Sequence, residues 1–155
     1  MKKENILTYL EKKLTEILPE RYDWALDWQA KKHWIAIYFR IFVENKMGQE
    51  IIDEEGVVAS EIIEFEDVIY LCAGKEIPTD ALYVYTFDRK KGIAQGVLDA
   101  LVNQLLISLE DGESDLLDFV TDETMTEFEL HWDEKAFQEQ IKENQTGEIL
   151  SYPKF

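Results

Sequence analysis

Tyr22-Asp-Trp-Ala-Leu-Asp-Trp-Gln29 and His33-Trp-Ile-Ala-Ile-Tyr-Phe-Arg-Ile-Phe-Val43 are the two stretches that decide the fold. In the first, Tyr22, Trp24, Leu26 and Trp28 alternate with Asp23, Ala25, Asp27 and Gln29, the two-residue period of a half-buried strand. The second is β-branched and aromatic throughout and reads as another strand. Pairing positions that sum to 63 sets Trp28 opposite Ile35, Leu26 opposite Ile37, Trp24 opposite Phe39 and Tyr22 opposite Ile41, all on one face. Asp23 then meets Arg40 on the other face. A slip of one residue breaks the apolar match, so the hairpin register is expected to be firm. The turn at Lys31-Lys32 lacks Asn-Gly or Gly, which argues against a strict two-residue type I′ turn.

The second strand carries an anomaly. One face holds Ile35, Ile37, Phe39, Ile41 and Val43, and the other holds Trp34, Ala36, Tyr38, Arg40 and Phe42. A half-solvated antiparallel strand has one polar face, so something is expected on both sides. Either helix one or the chain's tail covers the second face, or an aromatic patch of Trp34, Tyr38, Arg40 and Phe42 is left for a protein partner or a second copy.

Around this hairpin the pattern gives further elements. Ile6, Leu10, Leu14, Ile17 and Leu18 fall on one helical face, ended by Pro19. Phe65–Ala73 and Leu82–Phe87 read as strands linked through Gly74 and Pro78, and Val57-Val58 as a short additional one. Ile93, Val97, Leu101, Leu105 and Leu109 repeat every four residues and mark the main core helix, with Gly112 as its stop. Ser114 is expected to cap a short helix through Asp115–Val120. Phe128, Leu130 and Trp132 suggest a last strand, Asp133 a cap for a final helix, and Thr146–Phe155 an irregular docked tail. The expected fold is one α+β domain over residues 1–155, an antiparallel sheet of about five or six strands with the Gly92–Leu109 helix across a face.

Composition bounds function. The 155 residues carry 33 acids against 16 bases, a formal net charge of −17. Such a surface repels phosphate backbones and anionic lipid, so nucleic-acid and membrane partners are not expected. The single cysteine, Cys72, lies in an apolar run and permits no internal disulfide. The N-terminus lacks a secretory h-region and no apolar run approaches about 18 residues, which leads us to expect a cytoplasmic protein.

Phe65-Glu-Asp-Val-Ile-Tyr, Arg89-Lys-Lys-Gly, Leu116-Leu-Asp-Phe-Val, Glu127-Phe-Glu-Leu-His-Trp and Tyr152-Pro-Lys-Phe together resemble a family of small acidic proteins of unknown function from lactic-acid bacteria and related Gram-positive bacteria. The resemblance runs along most of the chain and implies a bacterial protein; it brings no catalytic residue or cofactor with it.

Read for chemistry, the sequence offers little that is specific. It has no glycine-rich phosphate loop and no Gly-x-Ser-x-Gly elbow, so no catalytic residue and no cofactor is assigned. Arg89-Lys90-Lys91 stands between a strand and a helix start, where an anion could bind or the turn could simply be solvated. Glu127, Glu129 and His131 alternate on the expected last strand and give O, O and N ligands to one side, the basis of a small metal-dependent binder or enzyme. Asp111-Gly-Glu-Ser-Asp115 begins like a calcium loop but has Leu116 where the turn glycine belongs. The leading expectation is a non-enzymatic protein-binding module with an acidic surface, its contact residues Trp34, Tyr38, Arg40 and Phe42.

Overall fold

A computed structural model describes residues 4–44, 62–121, 129–144 and 147–153. The chain begins with helix α1, Ile6–Ile17. Asn5 and Thr8 cap it reciprocally: the Asn5 side chain accepts from the Thr8 backbone N–H and the Thr8 hydroxyl accepts from the Asn5 N–H, both at 2.9 Å. The helix closes at Leu18, whose N–H donates to Leu14 O, and Pro19 follows as expected. Its apolar face buries Ile6, Leu10 and Leu14.

Strands β1, Asp23–Gln29, and β2, Trp34–Glu44, form the hairpin in the expected register, from Asp23 opposite Arg40 to Trp28 opposite Ile35. Strand β3, Ile62–Cys72, pairs antiparallel with the other edge of β2, running from Trp34 opposite Cys72 to Glu44 opposite Ile62. Strand β4, Tyr83–Thr86, then joins β3 in parallel. Among the described residues the sheet is therefore four-stranded and mixed, in the order β1-β2-β3-β4, where an antiparallel sheet of five or six strands was expected. Because β4 is only four residues long, the link 73–82 retraces a short distance, about 10 Å of strand rise. Alternating hydrophobicity carries no direction, which is why the pattern found β4 and not its sense. Val57-Val58 lies outside the described residues.

Helix α2 runs Gln95–Thr121 and does not stop at Gly112. A Cβ at Gly112 would sit 2.1 Å from Leu130 Cδ2 and 3.1 Å from Ile41 Cδ1. The glycine is a packing notch inside the helix, and Leu116 extends the apolar stripe beyond it. Asp115–Val120 is therefore the last part of α2, with no separate cap at Ser114. The stretch 129–133 is irregular, so the expected strand over Phe128–Trp132 does not form there. Its apolar residues act as individual anchors: Leu130 fills the notch, and Trp132 stacks on Tyr83 at 4.6 Å.

Helix α3, Glu134–Glu143, is capped by Asp133, which accepts from the Ala136 N–H, as expected. Its Phe137 is fully buried among Tyr83, Tyr85 and Trp132. The tail docks more regularly than expected. Strand β6, Ile149–Leu150, pairs antiparallel with β5, Ile93–Ala94, and Ser151 O accepts from Ile6 N–H. Gly92, at φ +74°, allows this pairing, since a Cβ there would meet Leu150 O at 2.1 Å.

All three helices share one core with a single face of the sheet. Ile35, Ile37, Phe39 and Ile41 of β2 meet Ile69 and Leu71 of β3, Leu98 to Leu109 of α2, the α1 stripe and Phe137. Trp34, Ala36, Val68 and Cys72 are buried outside that core, on the opposite face. No helix among the described residues is long and apolar enough to cross a membrane.

Candidate functional site

The opposite face is built by strand parity. Side chains of β2 at Trp34, Ala36, Tyr38, Arg40 and Phe42 stand beside Cys72, Tyr70, Val68, Glu66 and Glu64 of β3, and beside Asp27, Ala25 and Asp23 of β1. The two ends of this face differ. At the Trp34 end, the link between β3 and β4 crosses over. Trp34 Nε1 donates to Glu76 O at 2.9 Å, and the Cys72 thiol points at the same carbonyl at 3.3 Å. Tyr70 meets the Trp34 ring edge-on, with centroids 5.3 Å apart, and Lys32 Nζ lies 4.5 Å from the Trp34 ring centre. Trp34 is thus covered, 7% exposed, and Cys72 is buried.

Toward the other end the cover stops among the described residues. Tyr38 is half-buried and hydrogen-bonds toward Gln29 and Tyr70. Burial first, and the bond with Tyr38 second, push the Tyr70 hydroxyl above the ordinary tyrosine range. Arg40 is exposed and spans two carboxylates across the strand pair, Glu64 at 3.2 Å and Glu66 at 3.4 Å. Phe42 is half-buried beside them. An open hollow of about 450 Å³ is lined by Asp23, Ala25, Tyr38, Arg40 and Glu66. Four carboxylates, from Asp23, Asp27, Glu64 and Glu66, face one guanidinium here, so the surface is aromatic and net negative.

Of the four residues singled out in the sequence, the face carries all in one row. Three of them, Tyr38, Arg40 and Phe42, reach solvent, and Trp34 serves as the covered anchor. The cover is neither helix one nor the tail but the β3–β4 link.

The metal constellation is not assembled as expected. Glu129 and His131 are exposed on the irregular stretch, so strand alternation does not align them, and Glu127 lies outside the described residues. Among the described residues no group of three His, Cys, Asp or Glu is placed to hold a metal ion. His131 instead borders a cleft with Ser108, Asp111, Asp133 and Glu134. The buried Ser108 hydroxyl has no hydrogen-bond partner among the described residues, so it lacks the base contact an activated serine needs. Asp111–Asp115 is helical, which is incompatible with a calcium-loop turn.

Sequence reading missed a second feature at the hairpin turn. The turn residue His33, in the left-handed region at φ +60°, holds its ring between Arg89 and Tyr152. Arg89 Nη1 lies 2.8 Å from His33 Nε2, and Tyr152 Oη lies 3.2 Å from His33 Nδ1. Trp28 Nε1 donates to the same Tyr152 oxygen at 2.8 Å. The only local signal was the basic triplet at Arg89.

The profile of a family described as a protein of unknown function (DUF3013) matches residues 1–154. A crystal structure of a conserved protein of unknown function from Enterococcus faecalis, a lactic-acid bacterium, is similar over 99% of this chain and 98% of its own, at 36% identity and a TM-score of 0.84. No curated protein matches.

Proposed function

The chain belongs to the DUF3013 family of unknown function, and we propose that it is a protein-binding module that docks a basic polypeptide on the open end of its second sheet face. The observation that supports this most is the row Tyr38, Arg40 and Phe42, contact-forming side chains set on a rigid central strand without a helix from the core above them. The occupant follows from charge. Asp23, Asp27, Glu64 and Glu66 surround the aromatic row, and a second copy of a chain with net charge −17 is repelled. A partner that places an apolar or aromatic side chain over Tyr38 and Phe42, with Lys or Arg toward the rim, complements both features.

Rim charge of this kind speeds association and makes it salt-sensitive, while the aromatic row holds the complex. Arg40 has a particular role in the reading. Its two carboxylate partners hold the guanidinium beside β3, and a guanidinium plane is a surface on which a partner's ring can stack.

A photo-crosslinking residue placed at position 38, and separately at exposed Thr15 on α1 as a control, tests the proposal in cells. The expected result is an adduct at position 38, absent from the control, whose captured protein is basic. An adduct with a second copy, with an acidic protein, or with equal yield at both positions would contradict it.

A further inference from the structure

We infer that the corner formed by Trp28, His33, Arg89, Lys90 and Tyr152 is a small-molecule site for a ring-bearing phosphate of nucleotide size. The corner is a cavity of about 580 Å³, bordered also by Ala30, Ser151 and Pro153. That lies within the roughly 300–1,000 Å³ of ordinary ligand pockets. It belongs to neither the helix core nor the open sheet face: three separate segments meet there, the hairpin turn, the loop after β4 and the tail.

Hydrogen-bond bookkeeping gives the ligand's sign. A guanidinium only donates, and Arg89 Nη1 lies 2.8 Å from His33 Nε2 and 3.3 Å from its Nδ1. Tyr152 Oη lies 3.2 Å from His33 Nδ1, a contact in which either group can donate. Tyr152 Oη also accepts from Trp28 Nε1 at 2.8 Å. The remaining guanidinium donors of Arg89 and the ammonium of Lys90 are free to donate, since no carboxylate pairs with either side chain among the described residues. Arg89 and Lys90 therefore bring donor-only groups to the cavity, as an anion requires.

Lys31, Lys32, Arg89, Lys90 and Lys91, five of the 16 bases, sit in the two loops at this corner against one acid, Asp88, whose carboxylate accepts from the Lys90 backbone N–H at 2.8 Å. Distant carboxylates are screened beyond about 8 Å at physiological salt, so the local sign governs. The rings supply the second half of the specificity. Trp28 and His33 both meet Tyr152 edge-on, at 5.8 and 5.7 Å, and Phe87 lies 6.3 Å from it. Flat aromatic walls beside a donor cluster match a base or similar ring carrying a phosphate. His33 lies in the left-handed region at φ +60°, where its N–H donates to Ala30 O in the hairpin turn.

Calorimetric titration of the full chain tests this, with AMP, UMP, adenosine and inorganic phosphate as probes. At least one nucleotide is expected to bind with a dissociation constant of tens of micromolar or tighter, the order expected of a ligand that size. Adenosine and inorganic phosphate are each expected to bind about tenfold more weakly, because each fills half the site. Arg89→Ala should lose about tenfold in affinity, and Lys135→Ala, the same charge change on α3, should lose none. Circular dichroism verifies folding of Arg89→Ala; if it does not fold, Lys90→Ala, at an exposed position, takes its place with the same expectation of weakened binding. Failure of both nucleotides, phosphate binding as tight as nucleotide binding, or undiminished affinity in the basic-residue variant would overturn the site.

Discussion

The two faces of β2 are almost equally greasy in sequence and are used in opposite ways. Ile35, Ile37, Phe39 and Ile41 meet three helices and vanish into the core. Trp34, Ala36, Tyr38 and Phe42, one residue out of phase, receive among the described residues the β3–β4 link at one end. An apolar face is therefore no guide to burial by itself. What decides is whether another element has an apolar stripe to lay against it, and α2 has only one such stripe.

If this contrast is right, truncations one residue apart on β2 differ sharply in cost. Phe39→Ala should destabilise by about 3–5 kcal/mol, as expected for a large cavity in a core side chain that is 1% exposed. Tyr38→Ala should cost about 1 kcal/mol, because its neighbours on that face can still reach water. Urea unfolding of the two variants measures both, and equal losses would erase the distinction between the faces.

Gly112→Ala probes how tightly the core face is closed. The added methyl meets Leu130, so a loss of about 1–3 kcal/mol is expected despite alanine's better helix propensity. A gain in melting temperature would mean that Leu130 is not held in the notch. On the other face, Arg40→Ala should change stability by less than about 0.5 kcal/mol, since both its ion pairs are exposed. A larger loss would make Arg40 structural and weaken its role in docking.

The smallest expected effect concerns Asp67, which sits on the core side of β3 opposite Phe39. Burial pushes its carboxyl above the ordinary aspartate range, partly opposed by bonds from the Val68 and Leu82 backbone. A raised folded value means that the folded chain binds this proton more readily. The corresponding stability is present below the unfolded value and is lost as pH rises through the folded one. Wild type should therefore gain slightly more stability than Asp67→Asn between pH 7 and pH 5, read as a difference in urea midpoints. An identical gain would place Asp67 in water.

The sequence made the hairpin legible because a two-residue period and a short turn leave one register. It made α1 and the Asp133 cap legible through local stops and caps. It hid the sense of β4, because a strand reads the same in either direction. It hid the length of α2, because a glycine that packs against Leu130 looks like one that ends a helix. Phe128–Trp132 read as a strand because anchors two residues apart mimic a ladder. The Trp34 to Phe42 row was legible as a candidate surface, but its cover was not, since the Glu76 carbonyl carries no residue signal. The corner was least legible: His33 and Tyr152 are 119 positions apart, and nothing local to either predicts the other.

The account rests most on the open end of the second face being a docking surface. The direct measurement is the affinity of the protein captured at position 38 for wild type and for Tyr38→Ala, at about 50 and 200 mM salt. The account predicts a loss of at least about tenfold for Tyr38→Ala, weaker binding at the higher salt, and an unfolding midpoint that moves little. Unchanged affinity in a folded Tyr38→Ala, or binding indifferent to salt, would contradict it.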